Sequence, residues 1–207
     1  MLGIFAVLLS GAAQADPLRI VALGDSLTAG YGLPRDEGFV PQMQEWLDAQ
    51  GAEIELINAG VSGDTTAGGL SRVEWTLSDD VDAMIVALGG NDYLRGLPPE
   101  MSRRNLAGIL DAAAAADVEV MLVGLTVGGN YGADYKTAFD RMFSDLAVEY
   151  GVLEGPNWFE GLLATAGTQD RVSAYMQPDG IHPNADGVAA TVETLGPAIL
   201  ELAQRVE

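Results

Sequence analysis

Residues 18–28 read LRIVALGDSLT, from Leu18 to Thr28. From Leu18 to Leu23 the run is apolar except for Arg19, and it breaks at Gly24-Asp25-Ser26 into a glycine-rich loop lasting to Gly38. A short, continuous apolar run closed by a glycine turn is the pattern of a strand buried on both faces. Strands of that kind belong to parallel sheets whose crossovers are helices, so the rest of the chain should alternate strand and helix.

That alternation is present. Phe39 to Ala49 carries Val40, Met43, Trp46 and Leu47 at helical spacing, which places Trp46 in the core. Glu53 to Asn58 reads as a second strand, and Asp64 as the cap of a helix from Thr65 to Leu77. Val81 to Leu88 forms a third strand leading into Gly89-Gly90-Asn91-Asp92, and Pro98-Pro99-Glu100 opens a helix to Ala116. A fourth strand (Val118 to Val123), a helix (Ala133 to Tyr150), a short strand near Val152 and Leu153, and a last helix from about Ala185 to Val206 follow. The expected architecture is α/β, a parallel sheet covered on both faces, with ligands bound beyond the carboxyl ends of its strands.

At 207 residues and 48% hydrophobic, the chain can bury one full core, so residues 16–207 are expected to form a single domain. Before them, Leu2 to Leu9 is apolar and Ala13-Gln14-Ala15 precedes Asp16, the shape of a cleavable secretory signal over residues 1–15. The apolar run falls short of the roughly 20 residues that span a bilayer. No Lys or Arg precedes it, which points to a start lacking its first residues. Cysteine is absent, which removes disulfides, thiolate metal sites, a Cys nucleophile and a lipidated anchor. Thirty acidic residues against ten basic ones give a net charge of -20, which repels nucleic acid and anionic lipid. Two readings of that charge stay open, a solvated surface that aids solubility and an adaptation to high salt.

Three strand ends carry small polar segments: Gly24 to Thr28, Asn58 to Gly63, and Gly89 to Asp92. On the expected topology they meet at one sheet edge. Neither a G-x-x-x-x-G-K-[ST] loop nor a strand-linked G-x-G-x-x-G occurs, and the only lysine, Lys136, lies far from these segments on a helix, so nucleotide binding is disfavoured. The only histidine, His182, sits in Pro178-Asp179-Gly180-Ile181-His182-Pro183. Asp179 is three residues before it in a tight turn and can hold one tautomer of its ring. With one histidine and no cysteine a common zinc site cannot form, no calcium-loop pattern is present, and no cofactor is expected.

A serine hydroxyl needs a neighbouring base before it is a useful nucleophile, and Ser26 with His182 and Asp179 supplies that set. The backbone N–H groups of Ser26 and Gly60 and the amide of Asn91 are expected to stabilise the oxyanion. The α/β-hydrolase elbow is not met, because position 28 is Thr, and the three-residue gap from Asp179 to His182 is too tight for that fold.

Gly24-Asp25-Ser26-Leu27, Gly60, Gly89-Gly90-Asn91-Asp92 and Asp179-Gly180-Ile181-His182 together resemble the four blocks of the SGNH (GDSL-like) hydrolases, in order and over almost the whole chain. Gly89 to Leu97 and Asn130-Tyr131-Gly132 resemble the periplasmic branch described as acyl-CoA thioesterase, lysophospholipase and arylesterase. The resemblance implies a flavodoxin-like three-layer sandwich with a five-stranded parallel sheet and export to a bacterial periplasm. It also implies a triad of Ser26, Asp179 and His182, with an oxyanion hole at Ser26, Gly60 and Asn91. Val127-Gly128-Gly129 and Ala87 depart from the branch, which often has proline at the first site and Glu at the second.

The expected activity is hydrolysis of small acyl esters or thioesters, with no nucleic-acid partner and no stable membrane anchor; the oligomeric state is left open. A carbohydrate O-deacetylase with the same triad and an inactive glycan-binding module are the alternatives. Tyr93, Tyr131 and Trp158 are candidates for a binding face, while Trp75 is expected in the core or anchoring a loop.

Overall fold

The structure is a computed structural model that describes residues 16–77 and 80–206. The expected signal over residues 1–15 lies outside the described residues. The chain begins with β1 (Leu18–Gly24), α1 (Ser26–Ala29) and α2 (Phe39–Ala49), then β2 (Ile54–Gly60), α3 (Thr66–Thr76), β3 (Ala83–Ala87) and α4 (Gly90–Leu94). It continues through α5 (Pro99–Ala115), β4 (Glu119–Val123), α6 (Ala133–Tyr150), β5 (Leu153–Gly155), α7 (Glu160–Ala166) and α8 (Ala185–Val206).

The five strands form one sheet in the order β2-β1-β3-β4-β5, and every neighbouring pair is parallel. This is the doubly wound, flavodoxin-like order, which reverses direction between β1 and β3 and opens a crevice there. Burial follows position. Ile20 to Gly24 of β1 and Ala83 to Val86 of β3 are buried without interruption because helices cover both faces, whereas edge strand β2 alternates buried Ile54 and Leu56 with exposed Glu55.

One face is covered by α2 and α8, which pack on each other, and the other by α3, α5 and α6. The buried positions of α8 (Val188, Val192, Leu195, Ile199 and Leu202) recur every three or four residues, so one stripe meets the sheet. Gly108 of α5 faces the Leu70 side chain of α3, where an added Cβ would come within 2.9 Å. That is the approach that lets these two helices share a face.

Three expectations change. Thr65, not Asp64, caps α3, its side chain accepting from Gly68 N–H, while the Asp64 carboxylate is taken by Arg72 at 2.8 Å. Trp75 is 91% exposed, because α3 buries Thr66, Gly69 and Val73 and residue 75 falls on the opposite side of the helix. Trp46 is only partly buried; its ring lies over Gly196 and its indole N–H donates to Glu193 at 3.2 Å. No helix among the described residues is long and apolar enough to cross a membrane.

Candidate active site

In register, Gly24 of β1 stands beside Gly60 of β2 and Ala87 of β3, so the three strand ends are level. Asp25 caps α1 through its Oδ1, which accepts from Leu27 N–H at 3.0 Å. Ser26 is thereby the first residue of α1, where backbone N–H groups have no intrahelical acceptor. Gly60 is glycine for lack of space: a Cβ there would lie 2.4 Å from Ala29 N and 2.9 Å from Asp25 O. Gly89, at φ +124°, makes the turn from β3 into α4 that an L side chain would strain.

Asn91 sits on α4 and donates from Nδ2 to Asp25 Oδ2 at 3.2 Å. The next residue, Asp92, is fully buried and holds α4 in place. It accepts from Thr66 N–H at 2.9 Å, from the Thr66 hydroxyl, and from the Ser102 hydroxyl at 2.9 Å. A buried carboxylate is tolerable when donors surround it in this way. Arg72 ties the same edge from below, its guanidinium donating to Ala59 O and Gly24 O at 2.8 and 2.9 Å.

The turn before α8 brings the acid and the base to the same edge. Asp179 Oδ1 accepts from the N–H of Ile181 at 2.9 Å and of His182 at 3.0 Å. Asp179 Oδ2 lies 2.7 Å from His182 Nδ1, and His182 Nε2 lies 2.8 Å from Ser26 Oγ. An ionised carboxylate can only accept, so Nδ1 carries the proton and Nε2 is left to accept from the serine hydroxyl. The His182 N–H, then its ring, then the Ile181 N–H hold the Asp179 carboxyl down at about 2. Asp25 moves the other way: burial raises it, against the lowering by the Leu27 N–H and the Asn91 amide. The Tyr31 ring lies 4.7 Å from the His182 ring and braces its outer side.

Ser26, His182 and Asn91 open into a cavity of about 530 Å³. Its walls are mostly apolar, with Leu27, Tyr31, Tyr93, Leu125, Val127 and Phe159 lining it. Leu94 and Ile181, both about half exposed, stand at the mouth. Behind Tyr93 an aromatic cluster of Tyr131, Tyr135 and Phe139 supports one wall. Trp158 is buried against Phe39 instead of facing a ligand.

Of the residues expected at the site, the structure joins Asp179, His182 and Ser26 in one hydrogen-bonded chain, and Asn91, bonded separately to Asp25, lines the same cavity as Ser26 and His182. Gly60 stands at the same sheet edge but does not line the cavity, and its N–H donates to Asn58 Oδ1 at 2.9 Å. Asp25 and Asp92, which position Asn91, carry no signal of that role in sequence, since each partner comes from a distant segment. Among the described residues no group of three His, Cys, Asp or Glu side chains is arranged to hold a metal ion.

The profile of the GDSL-like lipase/acylhydrolase family matches residues 22–190. Esterase TesA of Pseudomonas aeruginosa is 36% identical over 197 residues, 95% of this chain and 94% of its own. Thioesterase 1/protease 1/lysophospholipase L1 of Escherichia coli is 36% identical over 185 residues, 88% of this chain and 83% of its own. Among solved structures, the psychrotrophic esterase EstA of Pseudoalteromonas, inhibited by monoethylphosphonate, superposes with a TM-score of 0.81 at 30% identity, covering 90% of this chain and 98% of its own. With this match in sequence, fold and strand-end chemistry, the chain belongs to the GDSL-like lipase/acylhydrolase family, the SGNH hydrolases.

Proposed function

We propose that the protein is a serine carboxylic-ester hydrolase that forms its acyl-enzyme on Ser26 with His182 as base and Asp179 as the group that orients it. The observation carrying this reading is the unbroken chain from Asp179 Oδ2 to His182 at 2.7 Å and from His182 to Ser26 Oγ at 2.8 Å, opening into an apolar cavity. As Ser26 Oγ attacks the carbonyl carbon, its proton passes to Nε2. The imidazolium returns that proton to the leaving alcohol or thiol when the tetrahedral intermediate collapses. Water then enters, gives a proton to Nε2, and attacks the acyl-serine; collapse restores the Ser26 hydroxyl and releases the acid.

The developing oxyanion is met by the Ser26 N–H and by the second N–H of the Asn91 amide, the first being held by Asp25. Gly60 N–H, at the same sheet edge, is the third donor in this proposal, and to serve it must turn to the oxyanion from Asn58 Oδ1, to which it donates at 2.9 Å. The apolar lining favours an acyl chain over an acetylated sugar, which would leave its hydroxyl groups unpaired against Leu125, Val127 and Phe159. Aryl esters, lysophospholipids and acyl thioesters are therefore the substrate classes assigned, in keeping with the esterase and thioesterase/lysophospholipase names of the relatives. Residues 1–15 act as an export leader to a bacterial periplasm, supported by the apolar run and Ala13-Gln14-Ala15.

Turnover of p-nitrophenyl butyrate by purified wild-type and Ser26→Ala protein tests the reading. A loss of about 10³-fold or more is expected; undiminished turnover in the variant removes it. N-terminal sequencing of exported protein tests the leader, with Asp16 as the expected first residue.

A further inference from the structure

The chain has one lysine, and it is not distant from the site. Lys136 lies on the first turn of α6, where its ammonium donates to the backbone carbonyl of Val127 at 2.7 Å and pairs with Asp140 Oδ2 one turn on. The other oxygen of that carboxylate, Asp140 Oδ1, accepts from Val127 N–H at 2.9 Å. Both backbone groups of one residue are thus held by a cation and an anion from the same helix. Val127 is buried and its side chain lines the cavity that Ser26 opens into.

Besides this pair, the segment around Val127 is held by the packing of Leu125 and Val127 in the core and by the Thr126 hydroxyl, which accepts from the Asn157 amide at 3.0 Å. It lies outside the strands and helices, and beyond Val127 it passes through Gly128 and Gly129 to a turn closed by Gly132 N–H on Gly129 O. A backbone amide and carbonyl next to a cavity satisfy their hydrogen bonds with water if the protein does not supply partners. Without the pair, the Val127 backbone loses both of these partners and its place in the wall rests on side-chain packing alone. The same helix also holds the opposing loop, since the Tyr135 hydroxyl donates to Leu97 O at 2.9 Å.

We propose that the Lys136–Asp140 pair is a specificity-determining clamp, which holds Val127 in the wall against the part of the acyl chain beyond the carbonyl. This rests on the acyl-hydrolase reading above. Lys136 touches no substrate; it is a positioning residue, and it acts through Val127. An acetyl group extends only one methyl past the reacting carbon and is nearly indifferent to the clamp, whereas an eight-carbon chain depends on the wall it lies on.

The test compares wild type with Lys136→Met, Lys136→Arg and Asp140→Ala, as full mature chains, on p-nitrophenyl acetate and octanoate. In Lys136→Met and Asp140→Ala the octanoate-to-acetate ratio of kcat/KM should fall about tenfold, the scale of losing one apolar contact, through KM for octanoate. Acetate kcat stays within about twofold of wild type. Lys136→Arg, which keeps a cation able to reach both acceptors, should restore most of the ratio. A ratio that is unchanged or higher in both disrupting variants, or an equal loss on both esters, overturns the clamp while leaving the hydrolase reading intact. Wild-type protein inactive on both esters overturns the hydrolase reading and the clamp with it.

Discussion

The Asn91 amide donates to the Asp25 carboxylate at 3.2 Å, and that carboxylate also accepts from Leu27 N–H. Because a carboxylate offers no proton, it selects Nδ2 over Oδ1 and so fixes which way the amide faces. The remaining N–H of Asn91 is left for the oxyanion. Asp25 is 3% exposed, and burial raises its pKa, so holding it ionised at neutral pH costs stability.

Asp25→Asn should therefore be more stable and less active. For a carboxyl whose folded pKa is raised, the stabilisation is complete below its unfolded value and is lost as pH rises through the folded one. The gap in Tm between Asp25→Asn and wild type should widen in favour of the variant from pH 4 to pH 8. An asparagine can donate as well as accept, so it no longer selects the Asn91 orientation, and kcat should fall about 10- to 100-fold with little change in KM. Thermal scans across pH and steady-state kinetics check the two halves.

Asp92→Ala should destabilise the fold by about 2–4 kcal/mol, because it leaves Thr66 N–H and the Ser102 hydroxyl buried without their acceptor. Urea unfolding measures this. The same variant should lose activity in the protein that remains folded, since α4 carries Asn91 directly before residue 92.

Asp179 gives the opposite pH signature. Its folded pKa, lowered to about 2, means that its stabilising contribution is present above the ordinary carboxylate range and is lost as pH falls from about 4 through about 2. The side chain is 36% exposed, so solvent screening keeps the effect small. Wild type should out-melt Asp179→Asn at pH 5 and converge with it near pH 2. Activity of the variant should drop about 10³- to 10⁴-fold, because the ring loses the acceptor that sets its tautomer.

How much of this was legible depended on the range of the interaction involved. The helices at 39–49, 133–150 and 185–206 were readable to their ends because each is long enough to display an apolar period. Helices α1, α4 and α7, of 4, 5 and 7 residues, were not, since a segment that short shows no period and depends on tertiary contacts. Ser26, Asp179, His182 and Asn91 stood out because the topology puts strand ends and the turn before α8 at one edge. The roles of Asp25 and Asp92 were hidden, because Asn91 and Thr66 reach them from 66 and 26 residues away. Lys136 misled for the same reason: its helix position is plain from sequence, but the Val127 carbonyl it holds is fixed by how α6 docks.

The central claim, that Ser26 is made nucleophilic by His182, is tested most directly by labelling with a fluorophosphonate and mapping the adduct by mass spectrometry. Wild-type protein should take up one phosphonate on Ser26, while Ser26→Ala takes up none and His182→Ala labels at least about 10³-fold more slowly. An adduct on another residue, or equal labelling of wild type and Ser26→Ala, would contradict the account.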